Sequence, residues 1–306
     1  MNGSPLYAAV EAGGTKMVCA IGSAQHGSIE RTRIPTTDPD ETIQAMAAFF
    51  RAAITAHGAI EALGIASFGP LDLDRTSATY GAITTTPKAG WQGVNLPRRL
   101  GEALGVPTGI NTDVNAAALA EARAGAAQDR DAVAYVTVGT GIGVGLISNG
   151  QMVQGLGHPE AGHLRLPRHP AHHGFAGVCP YHGDCLEGLA SGPAIQAAWG
   201  GSLDTLEEGH PAWEVEAHYL AHLCAALILT MAPEHIVLGG GVMSQHRLFG
   251  DIRSKTIALL GGYAAAWTPD AAAKRISPPR CAEPSGLVGA YLIAQQARGT
   301  AEVAPR

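Results

Sequence analysis

The chain opens on two apolar runs separated by a glycine turn, over residues 6–22, and the same order of runs returns over residues 132–149. Short apolar runs that are rich in β-branched residues and bounded by Gly predict β-strands. The segments VEAGGTKMVCAIG and VTVGTGIGVGLIS each contain a strand, a Gly/Thr turn and a second strand. This internal repeat predicts two similar α/β halves, each with a glycine-rich hairpin.

Other stretches show helical or strand periodicity. Apolar side chains recur at helical spacing in residues 39–57, which predicts an amphipathic helix. The same reasoning predicts strands at 61–67, 106–110 and 234–238, helices at 98–104, 116–125, 187–199, 212–231 and 285–298, a loop at 84–97 and a frayed tail at 299–306. We expect a small domain of residues 1–112 with about 285–306, and a larger one of residues 113–284 that carries an insertion at about 155–190.

Composition narrows the possible functions. Apolar residues make up 46% of the 306 positions, which is enough for a large core. The net charge of −6, without a run of Lys or Arg, argues against a nucleic-acid partner. Residues 1–10 do not resemble a signal peptide and residues 219–232 are short for a membrane span, so we expect a soluble cytoplasmic protein with no membrane partner.

The strongest candidate metal ligands form a cluster of cysteine and histidine residues. Cys179, His182 and Cys185 follow one another at two-residue spacers, and such spacing directs thiolates and imidazoles at one Zn²⁺ ion. The fourth ligand must come from elsewhere; His163 is our prediction, with three nearby histidines as alternatives. Those alternatives are His158, His172 and His173. The remaining cysteines, Cys19, Cys224 and Cys281, stand singly among apolar residues and are predicted to be small buried hydrophobes in a reducing compartment.

Two carboxylates accompany this cluster. Glu160 precedes His163 by three residues and Glu187 follows Cys185 by two. If residues 160–163 form a helical turn, Glu160 and His163 share a face. Acids held at one point suit a ligand rich in hydroxyl groups, so we interpret the zinc as a structural clip on a small-molecule site.

Three further segments could bind a ligand. Residues 11–16, Glu-Ala-Gly-Gly-Thr-Lys, combine bare backbone N–H groups, a hydroxyl and a cation, which can hold phosphate, although a plain turn is the alternative. Asp113 follows a strand and precedes a helix, where ligands bind in open α/β sheets, or where it could act as a helix N-cap. Three glycines at 239–241 after a strand would allow close approach of a flat ligand such as adenosine.

Together these motifs resemble the ROK family of sugar kinases, which have the actin-like ATPase (ribonuclease H-like) fold. The resemblance covers about residues 7–295 and is closest to the bacterial fructokinase branch. It is carried by residues 11–16, Thr-Pro-Lys-x-Gly-Trp at 86–91, Thr-Asp-Val-Asn at 112–115 and Cys-Pro-Tyr-His-Gly-Asp-Cys-Leu-Glu-Gly at 179–188. Thr112 before Asp113 and His182 in the cluster depart from the glucokinase pattern and follow the fructokinase branch.

The resemblance implies a role for each motif. Asp113 would be the catalytic base, and Mg²⁺-bound ATP would phosphorylate a hexose, with position 6 of fructose as the acceptor. The implied sugar contacts are Glu160, His163, Glu187, Gly69 and Asn95. The implied ATP contacts are Gly13, Gly14, Thr15, Lys16, Thr140, Gly141, Gly240 and Gly241. The implied zinc ligands are His163, Cys179, His182 and Cys185.

The resemblance also suggests a homodimer. The alternatives are a ROK kinase for mannose, glucose or an N-acetylhexosamine, and a sugar sensor without catalysis. A ROK-type repressor is disfavoured, because the first predicted strand begins by about residue 6, ahead of which such a repressor would need a helix-turn-helix.

Overall fold

The computed structural model describes residues 5–303. The strands are β1 (Leu6–Ala12), β2 (Lys16–Ser23), β3 (Gly27–Pro35), β4 (Ile60–Ser67), β5 (Thr108–Thr112), β6 (Val133–Val138), β7 (Ile142–Ser148), β8 (Gln151–Met152), β9 (His235–Gly239) and β10 (Ile276–Ser277). The helices are α1 (Pro39–His57), α2 (Leu96–Leu104), α3 (Asp113–Ala124), α4 (Leu186–Ala190), α5 (Gly192–Trp199), α6 (Pro211–Met231), α7 (Leu248–Leu260), α8 (Pro269–Arg275) and α9 (Ser285–Val303).

Within the described residues the strands form two sheets of the same design. The first has the order β3-β2-β1-β4-β5 and the second the order β10-β9-β6-β7-β8. In the first sheet, β1 pairs antiparallel with β2 and parallel with β4; in the second, β6 pairs antiparallel with β7 and parallel with β9. The predicted internal repeat is therefore confirmed, with hairpins β1–β2 and β6–β7 in matching positions.

Contacts divide the chain into two compact units that do not follow the linear sequence. Unit 1 contains the chain up to Ala120, Met152–His158, and the chain from Cys281 onward; unit 2 contains Glu121–Gln151 and Pro159–Arg280. The predicted domain boundary at residue 112 stays a prediction. The boundary between the compact units lies eight residues later, inside α3.

Unit 1 is built on a sheet with helices on its faces. Helix α1 begins at Pro39 because the Asp38 side chain accepts hydrogen bonds from the N–H groups of Asp40 and Glu41. Its Met46 and Phe50 are fully buried in the core. From the far end of the sequence, α9 packs against β1, β4 and β5, and its Leu287 and Tyr291 are fully buried.

Several predicted element bounds were wrong. The strand predicted at 106–110 runs over Thr108–Thr112, and α3 begins at Asp113 rather than 116. The helix predicted at 187–199 is two helices, because the chain is extended at Ser191 (φ −71°, ψ 162°). Helix α9 continues to Val303, through part of the predicted frayed tail, whose residues 304–306 lie outside the described residues.

Candidate active site

The first hairpin (β1–β2, turn residues 13–15) lies at the carboxyl edge of the parallel strands of unit 1. The Phe68 N–H donates to Ala12 O at 2.8 Å, so the chain that leaves β4 adjoins the end of β1. Strand β5 runs parallel to β4, with Thr112 opposite Ser67. The shared strand direction therefore places Gly13, Gly69 and Asp113, each just beyond a strand, at one edge.

Asp113 is the first residue of α3, but it is not the N-cap. The Thr112 hydroxyl oxygen accepts from the Asn115 N–H at 3.2 Å, which is the bond of an N-cap side chain, whereas the Asp113 carboxylate accepts from the adjacent Val114 N–H at 2.9 Å. Burial, together with a smaller effect of the neighbouring Glu11 charge, raises the pKa of Asp113 to about 7. A carboxyl group with this pKa is poised to accept a proton near neutral pH.

A cavity of about 240 Å³ lies beside the first hairpin. Its lining includes the hairpin residues Gly13, Thr15 and Lys16 and two arginines, Arg31 and Arg33, of β3. Neither arginine was predicted as a site residue; the one available signal was the alternation of charged and apolar residues in IERTRI. These three cations suit a phosphate-bearing ligand.

Glu11 is the acid of the same cavity. Burial raises the pKa of its carboxyl group, and the charge of Lys16 opposes this shift. Glu11 is therefore close enough to Lys16 and to Asp113 for their charges to interact.

The second hairpin (β6–β7, turn residues 139–141) belongs to unit 2. Its turn closes through the Gly139 N–H, which donates to Gly141 O at 2.9 Å, and Gly139 O accepts from the Gly192 N–H at 2.8 Å, at the start of α5. Gly240 lies against β6 with φ +91°, and a methyl group on it would stand 2.3 Å from Val138 O. Only glycine fits at this close approach to β6. The glycines predicted to bind adenosine therefore lie next to the second hairpin.

Glu187 ties the second hairpin to α4. Its Oε2 accepts a hydrogen bond from the Ile142 N–H at 3.0 Å. Glu187 was predicted only as a sugar contact, and this bond was not predicted. In the described part of the chain, Oε1 accepts no hydrogen bond from protein, so it can still accept one from a substrate hydroxyl.

The Glu-Ala-Gly-His segment forms one 3₁₀ turn, with the His163 N–H donating to Glu160 O at 3.0 Å. Glu160 is the N-cap of this turn and its backbone (φ −125°, ψ 44°) lies outside the 3₁₀ range, so a shared face for Glu160 and His163 remains a prediction. A methyl group on Gly162 would lie 1.7 Å from Ile142 O. The turn can therefore pack directly on the start of β7 only because residue 162 is glycine.

The structure brings together the four residues predicted as zinc ligands. Among residues 5–303, His163, Cys179, His182 and Cys185 form the group able to hold a metal ion, with all four ligand atoms within 4.8 Å of one another. The Nδ1 atom of His163 lies 3.4 Å from Cys185 Sγ and 3.8 Å from Cys179 Sγ. The three alternative histidines are absent from this group.

These distances fit a tetrahedral zinc site. Zinc binds sulfur at about 2.3 Å and imidazole nitrogen at about 2.0–2.1 Å, which gives an S···N edge of roughly 3.6 Å in a tetrahedron. Burial, together with a smaller effect of the adjacent Cys179, raises the pKa of the Cys185 thiol to about 11. A bound cation would supply the charge that favours both thiolates.

The alternative histidines have other contacts. His172 is buried and stacks on Trp199, with ring centroids 5.3 Å apart, and its Nδ1 lies 3.3 Å from the Tyr219 hydroxyl. His173 is exposed. The Nε2 of His158 accepts from the Leu71 N–H at 3.0 Å. Cys19 and Cys224 are buried as predicted, whereas Cys281 is half-buried.

Asn95 has a local role that sequence reasoning did not anticipate. Its Oδ1 accepts from the Arg98 N–H at 2.9 Å and caps α2, while its Nδ2 donates to Tyr80 O at 2.7 Å. The side chain is thus held by the protein, and a sugar contact from Asn95 remains a prediction.

No helix in the described part of the chain combines the length and apolar character needed to cross a bilayer.

Comparison with known proteins places the chain in a family. The ROK family model matches residues 7–297. The chain is 42% identical to a fructokinase of Pediococcus pentosaceus, covering 95% of this chain and 98% of that protein, and 41% identical to a fructokinase of Zymomonas mobilis, covering 96% and 97%. A ROK hexokinase structure from Thermus thermophilus superposes with a TM-score of 0.78 at 28% identity, covering 96% of this chain and 99% of that one. The predicted two-part actin-like fold is confirmed, and the chain belongs to the ROK family.

Proposed function

We propose that this protein transfers the γ-phosphoryl group of Mg²⁺-bound ATP to the 6-hydroxyl of fructose. The choice of fructose rests on the fructokinases at 41% and 42% identity over nearly the whole chain. The choice of phosphoryl transfer rests on Asp113, which stands at the carboxyl edge of unit 1 with a pKa of about 7.

Phosphoryl transfer depends on positioning and on neutralising charge. In our proposal the backbone N–H groups of the two hairpins bind the phosphates, and Lys16, Arg31 and Arg33 add positive charge on the side of unit 1. Mg²⁺ bound to the ATP would neutralise part of the phosphate charge. Gly240 and Gly241 leave space for the adenosine.

Asp113 acts as the general base. Its ionised carboxylate accepts the proton of the attacking hydroxyl, a contribution of roughly 10²- to 10⁴-fold in rate. The sugar hydroxyls form hydrogen bonds with Glu160, His163 and Glu187. Glu187 accepts its bond through Oε1. Gly69 remains a proposed sugar contact through its backbone.

The Cys/His cluster is proposed to hold Zn²⁺. His163, Cys179, His182 and Cys185 would supply all four ligands, which leaves no open position for a reactive water. The ion would order the segment that carries Glu160 and Glu187 rather than take part in the chemistry. The homodimer and the cytoplasmic location remain predictions.

The test is ADP release from Mg²⁺-bound ATP with fructose, mannose, glucose, N-acetylglucosamine and N-acetylmannosamine, each assayed separately. We expect the highest kcat/KM with fructose. A higher kcat/KM with another hexose would support the proposed kinase activity but show that fructose is not the preferred substrate. Failure to turn over any of these sugars, from folded zinc-loaded protein, would favour a sugar sensor.

A further inference from the structure

The segment Met152–His158, which we call the strap, is held in unit 1 although the chain on both sides of it belongs to unit 2. Hydrogen bonds join it to other residues of unit 1. Asn115 Nδ2 donates to Val153 O at 3.5 Å, the Gln154 side-chain amide donates to Leu73 O, and His158 Nε2 accepts from the Leu71 N–H at 3.0 Å. The strap therefore connects the start of α3, where Asp113 lies, with the turn at residues 69–73.

His158 packs on the Gly69–Leu71 part of that turn. A methyl group on Gly69 would lie 3.3 Å from both Cε1 and Nε2 of the imidazole, so the ring packs on the Gly69 backbone while it accepts from the Leu71 N–H. On the other side, Pro70 O accepts from the Thr84 N–H at 2.8 Å. The turn is thus held between a loop and the His158 ring.

From this geometry we infer that His158 is a positioning residue for the sugar, which sets the shape of the Gly69–Leu71 turn through its Nε2 acceptor. The inference rests on the proposed function, in which the Gly69 backbone contacts the hexose. His158 has no role in proton transfer. Its loss should therefore weaken sugar binding while leaving the chemical step intact.

The position of the acceptor atom gives a specific test. The Oε1 of a glutamine can take the place of Nε2, whereas the shorter side chain of asparagine cannot reach it, although both amides are polar. We expect His158→Ala and His158→Asn to raise KM for fructose by about tenfold with kcat within about twofold of the wild type, because a buried N–H loses its partner. His158→Gln should recover most of the affinity.

Three readouts separate this role from a merely structural one. KM for ATP should not change in any variant, thermal melting should show all variants folded, and fructose binding measured by calorimetry without ATP should follow KM. The control is His173→Ala, which removes an exposed histidine of unit 2.

Equal KM values for fructose in the wild type and the His158→Asn variant would overturn the inference, and so would a parallel rise in KM for ATP. If the wild type phosphorylates no sugar, the proposed function fails before the variants are compared. The two failures are therefore distinguishable.

Discussion

The Asp113→Asn variant should lose nearly all activity yet gain stability relative to the wild type as the pH rises. The folded protein holds the pKa of Asp113 at about 7, against an ordinary value of 3.8, chiefly through burial of the carboxyl group. A gap of about 3 pKa units corresponds to about 4 kcal/mol. Because Asp113 is only half-buried, solvent screening reduces this, and we expect about 2 kcal/mol.

The sign follows from proton linkage. From pH 4 to pH 7 the unfolded chain has lost this proton and the folded protein has kept it, so the wild type loses stability as the pH rises through this window. Above pH 7 the folded carboxylate is ionised too, and the full loss of about 2 kcal/mol in the free energy of unfolding remains. The variant has no such titration, so its free energy of unfolding should rise relative to the wild type between pH 4 and pH 8.

The assay is urea unfolding of the wild type and the variant at pH 5 and pH 8, together with ADP release in the presence of fructose. Asp204→Asn, at an exposed position, is the matched control and should follow the wild type in both measurements. Turnover by Asp113→Asn should fall by roughly 10²-fold or more. If its stability changes with pH in parallel with the wild type, burial does not hold the carboxyl group protonated, and our account of the base is wrong.

Three other outcomes are expected. The kcat/KM for fructose should rise with pH through a midpoint of about 7, as the Asp113 carboxyl group ionises. Glu11→Gln should lower that midpoint in a pH–rate profile, because a nearby negative charge is removed. An unmoved midpoint would contradict the interaction between Glu11 and Asp113. Chelation of zinc should lower the melting temperature and raise KM for fructose together, with recovery on adding Zn²⁺, and a metal-free protein of equal stability would refute the structural role. Glu187→Ala should cost about 1–3 kcal/mol in thermal melts because it leaves the Ile142 N–H unpaired, whereas Glu187→Gln keeps an acceptor and should cost less; equal losses would refute this reasoning.

Local patterns carried most of what could be predicted. The two Gly/Thr hairpins were visible because strand, turn and strand are contiguous in sequence. The Cys/His cluster was visible because three of its ligands fall within seven residues, and His163 was the predicted fourth. The position of Asp113 followed from its place after a strand, although the bounds of β5 and α3 did not.

Features that depend on distant residues were not predicted. Strand β3 is an edge strand with exposed arginines, so the alternation of apolar and polar residues along it is weak. Arg31 and Arg33 were therefore not predicted. The bond from the Ile142 N–H to Glu187 joins residues 45 positions apart, and the bond from the Leu71 N–H to His158 joins residues 87 apart. Side-chain types alone do not reveal such pairs.

The packing of α9 on β1, β4 and β5 also affects how the protein is synthesised. At about 5–20 residues per second, the ribosome finishes α9 roughly 10–40 s after β5 has been made. During this interval the apolar face of the first sheet that will receive Leu287 and Tyr291 lacks its cover. A nascent or truncated chain should therefore depend on chaperones and aggregate readily until its last helix emerges.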